Sequence, residues 1–190
     1  SMIWNRGGMT DDTTFGKPYN GELFIMGSQP YLHVNTRGER FMNESGPYDW
    51  NVYCSSQQTY GTWNTVWDAN FCDDVVKFDK LGCASLTIIM RDMFMQEGGV
   101  FDQMAEEGTL VKADTLEELA DKLGFEGEAK ETFLATCERY NEMYDAQYDE
   151  DFGKPSCRLS ELRTPPFYGA WLGASLLCTM QGILINENAQ

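Results

Sequence analysis

Residues 34–50 read VNTRGERFMNESGPYDW. The segment starts at the apolar end of a strand-like run, Tyr31–Asn35. It turns at Thr36-Arg37-Gly38-Glu39, where glycine supplies the positive φ of a tight turn. Arg40-Phe41-Met42-Asn43-Glu44 follows, and Gly46-Pro47 then breaks the chain and delivers Tyr48-Asp49-Trp50. A turn-rich segment that mixes charge with aromatic rings builds a site or a domain junction. Alternation sets His33 with Tyr31 and Asn35, apart from Leu32 and Val34, which reads as a structural strand histidine. Glu44 is expected to orient Arg40 or the backbone beyond the turn, and Asp49 and Trp50 adjoin the position of Tyr48.

Working outward, the patterning predicts both helices and strands. Leu23–Met26 and Thr65–Ala69 read as short strands, and residues 56–63 as the start of a short helix. Residues 91–106 carry helical patches broken at Gly98-Gly99. The clearest local signal is DTLEELADKLG, residues 114–124. Asp114 or Thr115 caps it, Glu117 and Glu118 fill its first turn, and Gly124 ends it. Leu116, Leu119, Ala120 and Leu123 make one apolar stripe. A second helix runs from about Glu128 to Asp145, with Phe133, Thr136, Cys137, Tyr140 and Tyr144 as its core face. Asp149 to Pro155 reads as a polar connector. Pro165-Pro166-Phe167-Tyr168-Gly169 leads into a strand over 170–176. Thr179-Met180-Gln181-Gly182 turns into a last strand, Ile183–Asn186. Residues 1–22 are polar, Gly-rich and read as irregular. A strand so near the last residue suggests a piece of a larger protein, and Ser1-Met2 looks like a tag remnant.

Composition excludes several classes. At 42% hydrophobic and 13% aromatic residues the 190-residue chain can bury a sizeable core, which argues against disorder. A net charge of −16 repels phosphate backbones and anionic lipid, so no nucleic-acid partner is expected. No run reaches the ~18 apolar residues a membrane helix needs. The six cysteines form no Cys-x-x-Cys pair and there is one histidine, so no metal site is expected and the thiols read as buried and free.

The order of short motifs carries more. V-N-x-x-G-E-R-F-M-N-E, W-D-A-N, D-T-L-E-E-L-A-D-K-L-G, E-R-Y-N-E-M-Y, D-x-D-F-G-K, P-P-F-Y-G and T-M-Q-G-I-L-I-N follow one another over residues 34–186. The series resembles the FAD-dependent flavoproteins related to fumarate reductase and succinate dehydrogenase. The resemblance implies their capping domain, an α+β fold with a small mixed or antiparallel sheet and packed helices. Residues 1–30 would lead in from the FAD-binding domain, 31–169 would form the cap, and 170–190 would hold the strand returning to that domain. No G-x-G-x-x-G is present, so the dinucleotide-binding domain would be a missing part of the same chain, and the piece alone is expected to be inactive.

The resemblance also assigns roles. The parent would move hydride between flavin N5 and a C=C or CH–CH bond, with the proton coming from the cap. Its partners would be a small unsaturated substrate and a redox donor protein. The family carries a proton-donating arginine four residues after the Glu of R-F-x-N-E, and here that position is Tyr48. A substrate-binding histidine precedes the family's turn, and here Cys178 stands there, followed by Thr179 and Met180. Gln181 and Gly182 fall at the cofactor side of that turn. Tyrosine and cysteine cannot clamp a dicarboxylate as arginine does, which argues against fumarate as the substrate. The alternative is a stand-alone domain that binds a small molecule or protein without catalysis.

Overall fold

The structure, a computed structural model, describes residues 2–5, 26–81, 84–175, 186 and 188. Five strands form one antiparallel sheet: β1 (Met2–Asn5), β2 (Leu32–Val34), β3 (Thr62–Trp67), β4 (Val111–Ala113) and β5 (Phe167–Ser175). The order is β1-β5-β3-β2, with β4 also paired to β5. The first part of β5 pairs with β4 at Gly169↔Val111, and its last part pairs with β1 at Ser175↔Met2. The expected boundary between residues 169 and 170 therefore falls inside one strand.

Strand alternation sends side chains to two helical layers. Leu32, Val34, Val66, Ala113 and Phe167 pack on α5 (Leu116–Leu123) and α6 (Gly127–Ala146) through Leu119, Leu123, Phe133 and Cys137. On the opposite face Trp67, Tyr168 and Ala170 meet α2 (Phe71–Lys77), α3 (Ala84–Met95) and α4 (Val100–Glu107). Trp67 stacks on Tyr168 at 5.7 Å and tilts against Phe101 at 5.2 Å between ring centroids. Further along that face Trp63 and Leu172 pack with Phe41 and with Val52 of α1 (Tyr48–Ser56). Fully burying one such large apolar side chain is worth about 1.5–3 kcal/mol.

The marked helix forms as its sequence dictates. The Thr115 hydroxyl accepts from Glu118 N at 3.1 Å, and Glu118 Oε2 accepts from Asp114 N at 3.0 Å. This reciprocal cap is worth about 1 kcal/mol. Gly124 ends the helix at φ +89°. The opening turn also holds: Asn35 Oδ1 accepts from Arg37 N at 2.9 Å and Glu39 N at 3.1 Å, and Gly38 sits at φ +78°.

Other expectations are corrected. Residues 56–63 do not start a helix; α1 ends at Ser56, and only a single tight turn, Thr59–Gly61, precedes β3. α1 itself was not foreseen because Tyr-Asp-Trp-Asn-Val is poor helix former after a proline. It is held in place by the packing of its inner face, where Asn51 and Ser55 are buried. Met26 belongs to a 3-10 turn, Met26–Ser28, and Leu23 to Ile25 lie outside the described residues. Of the last expected strand only Asn186 is described, without regular structure. The thiols of Cys54, Cys72, Cys137 and Cys157 are free, but only Cys137 is buried and Cys157 is exposed. Cys83 and Cys178 lie outside the described residues.

Candidate functional site

The charged half of the opening segment folds inward. The Arg40 side chain is 4% exposed and grips two carboxylates at once. Its Nε and Nη2 donate to Glu44 at 2.8 and 2.9 Å, and its Nη1 and Nη2 donate to Asp149 at 2.9 and 2.7 Å. The guanidinium lies between the rings of Tyr140 and Phe152, 5.3 and 5.1 Å from their centroids. Lys154 completes the cluster: its Nζ is 3.2 Å from Glu44 Oε2, donates to Tyr140 Oη at 2.6 Å, and donates to the Pro30 carbonyl. Asp149 also accepts from the backbone N–H groups of Asp151, Phe152 and Lys154. Two residues of the polar connector, Asp149 and Lys154, are thus buried as part of a clamp. Two positive and two negative charges cancel, and nearly every polar atom is bonded, which is what a buried ion cluster requires.

The electrostatics follow. Burial opposes the Arg40 charge, yet Glu44 and Asp149 outweigh it and its pKa rises. Burial alone would raise Glu44, but Lys154 and Arg40 hold it at about 2. Asp149 is likewise raised by burial and lowered by Arg40 and by backbone N–H groups, to about 2. His33 is buried, and burial pulls its pKa from 6.5 to about 4; Glu44 offsets part of this, while Lys154 and Arg40 repel the proton. Glu44 therefore takes the orienting role expected of it and is not poised for proton transfer.

A pH dependence results. Glu44 and Asp149 titrate lower folded than unfolded, so their stabilisation is complete above the unfolded range and is lost as pH falls towards 2. His33 binds its proton more weakly folded, which costs stability as pH falls from 6.5 to about 4. Asp74 acts in the opposite sense: burial lifts it from 3.8 to about 6, so the folded form gains stability as pH falls from about 6. The last two effects oppose each other, and burial raises Asp68 in the same sense as Asp74. Stability to urea should therefore stay level from pH 7 to about 4.5 and collapse below it. A steep loss already complete at about pH 5 would contradict this assignment.

Two other motifs prove to be staples. Asp68 of W-D-A-N accepts from Asn70 N at 2.8 Å and from Arg163 N and Thr164 N at 2.9 Å, tying the end of β3 to the approach to β5. Asn141, in E-R-Y-N-E-M-Y, bonds both backbone groups of Leu162.

Tyr48 is the first residue of α1 and is half-buried. At 3.6 residues per turn it shares the sheet-facing stripe with Asn51, Val52 and Ser55. Asp49 and Trp50 are exposed, and Trp50 pairs with the exposed Tyr53 at 6.4 Å. Cys178, Thr179, Met180, Gln181 and Gly182 lie outside the described residues, so the structure does not bring them to Tyr48 or hold them from it.

One feature of the α1 side was missed in the sequence. Among the described residues, Gln29 Oε1, both ring nitrogens of His33, Ser45 Oγ, Asn51 Oδ1, Trp63 Nε1 and Thr65 Oγ1 are buried without a hydrogen-bond partner. The Gln29 backbone carbonyl lies close enough to His33 to favour its proton, but without the geometry of a full hydrogen bond. A buried polar group left with no partner of any kind, water included, would cost about 1–3 kcal/mol. The one available signal was the run of polar residues inside otherwise apolar strands: His33, Asn64 and Thr65.

A dinucleotide does not fit the described residues. The two direct strand-to-helix turns, 68–70 and 114–115, contain no glycine, and the first is filled by the Asp68 carboxylate. A phosphate cradle needs glycines and free N–H groups there.

A five-stranded sheet between helical layers, clamped by Arg40, defines an α+β domain of the flavoprotein capping type. The same fold occurs in the solution structure of a fumarate reductase flavoprotein subunit from Lactobacillus plantarum, with TM-score 0.53 and 17% identity over 93% of this chain and 98% of that one. No protein-family model matches the chain. It is 26% identical over 164 residues to the vinyl phenol reductase of Lactiplantibacillus plantarum, covering 85% of this chain and 33% of that protein. It is 30% identical over 175 residues to the 3-oxosteroid 1-dehydrogenase of Mycolicibacterium smegmatis, covering 79% and 28%. The chain is a part-length relative of the fumarate reductase and 3-oxosteroid dehydrogenase flavoproteins. It spans a third or less of the length of the curated relatives it matches.

Proposed function

We propose that the chain is the capping domain of a larger FAD-dependent oxidoreductase that acts on an activated C=C or CH–CH bond and is not a strict fumarate reductase. The observation that carries this reading is homology over most of the chain to a vinyl phenol reductase and a 3-oxosteroid 1-dehydrogenase. FAD would reside in the remainder of the parent and supply the hydride chemistry. Residues 1–30 and 170–190 would connect to that remainder, with 31–169 as the cap. The pairing of Met2 with Ser175 supports this, since a domain inserted between two flanking segments is entered and left side by side.

Tyr48 would be the proton donor. Its phenol, with a free pKa of about 10, can protonate a carbon next to the site of hydride addition where negative charge develops. Cys178, Thr179 and Met180 would contact substrate, and Gln181 and Gly182 the cofactor side. No Lys, Arg or His occurs between Phe41 and Val76, and Arg40 is already committed to two carboxylates. α1 and β3 therefore offer no cation to a dicarboxylate, which favours a less charged unsaturated substrate. A redox donor protein would reduce the parent.

Two measurements test this reading. The 190-residue chain should not retain FAD at stoichiometric levels; a yellow protein after desalting would overturn the assignment of FAD to the remainder. In the full-length flavoprotein Tyr48→Phe should slow turnover about tenfold or more while flavin reduction by the donor is unchanged. Undiminished turnover would remove Tyr48 from the chemistry.

A further inference from the structure

We propose that the seam between α1 and the sheet is a built site for ordered water, lined by Gln29, His33, Asn51, Trp63 and Thr65. The groups are carried by the segment before β2, by β2, by α1 and by β3. His33 and Thr65 are cross-strand partners, and Trp63 lies two residues along β3 on the same face. The rings of His33 and Trp63 are 6.3 Å apart between centroids, and neither bonds the other. Asn51 faces the sheet from α1 and lies against Gly46.

The chemistry of the set selects its occupant. Trp63 Nε1–H and the Thr65 hydroxyl donate, Gln29 Oε1 and Asn51 Oδ1 accept, and a neutral imidazole offers one donor and one acceptor. Such a set is balanced and without net charge. A cation would need anionic ligands, and Glu44 beside His33 is spent on Arg40 and Lys154. An anion would need a free cation, and both nearby cations are engaged. Water both donates and accepts, and buried water characteristically satisfies two to four such groups. α1 would thus rest on the sheet through a wet seam, with apolar packing confined to Val52 against Trp63 and Leu172. The inference does not depend on the oxidoreductase reading, although Tyr48 shares the α1 stripe that covers the seam.

The test uses the chain itself. A crystal structure at about 1.5 Å resolution should show at least two ordered waters, each bonding two or more of these groups at about 3 Å. Direct bonds from groups of the chain to His33 and Thr65, or a dry seam, would overturn the proposal. Thr65→Val gives an independent reading, because it keeps the shape and removes the hydroxyl. If that hydroxyl binds water the variant should lose about 2–4 °C in Tm. A rise in Tm would mean that the hydroxyl is an unpaired burden and that the seam holds no water.

Discussion

Arg40→Ala should lose about 3–5 kcal/mol of stability, enough to leave much of the protein unfolded at room temperature. The substitution leaves Glu44 and Asp149 buried in one place, with only Lys154 to balance them. Their pKa values of about 2 depend on Arg40, so each would have to take up a proton or draw water into the core. The variant would also lose the guanidinium that fills the gap between Tyr140 and Phe152. Arg40→Lys should rescue little, since an ammonium cannot present two forks at once. Arg139→Ala is the control: that arginine also binds two carboxylates, Glu150 and Asp151, but at the surface, where water screens them. Urea midpoints that fall equally for Arg40→Ala and Arg139→Ala would show that the buried cluster does not hold the fold.

Gly38→Ala should cost about 3 kcal/mol, for two reasons that act together. At φ +78° an L-side chain is strained. Its Cβ would also meet backbone, the Ala129 carbonyl oxygen at 2.5 Å and the Phe133 nitrogen at 2.6 Å. Neither can rotate away, so the turn must lift from α6 and take β2 with it. Gly153→Ala has a similar positive φ, +67°, with no atom within 4 Å of the added carbon. It isolates the strain alone and should cost distinctly less. Equal midpoints for the two variants would remove the contact with α6 from the explanation.

The two predictions concern residues that the sequence displayed openly, and they show what kind of information it held. Thr115, Glu118 and Gly124 act within one helix, so their pattern could be read directly. Asn35 and Gly38 make their turn from neighbours, and that too was legible. α1 was not, because its residues are indifferent helix formers and its buried side is polar. The family resemblance rested on motifs whose best-resolved members turn out to be joints of the fold. Arg40 and Glu44 close on Asp149 and Lys154, Asp68 on Arg163 and Thr164, and Asn141 on Leu162. Such joints identify the domain well and say less about its substrate.

The sequence by itself determined the class: an α+β domain with one capped helix followed by a second helix, strands with turn signals, and an ordered set of motifs that resembles that of the flavoproteins. Those properties depend on near neighbours and on order along the chain. Tertiary structure decided that Asp149 and Lys154 of the polar connector are buried, that Glu44 is locked by two cations, and that Tyr48 heads the sheet-facing stripe of α1. The physical reason is distance along the chain. Arg40 and Asp149 are 109 residues apart in sequence and 2.7 Å apart in space. Whether a charge meets a partner, and so whether it can be buried or must stay in water, is settled only when the two segments are folded together.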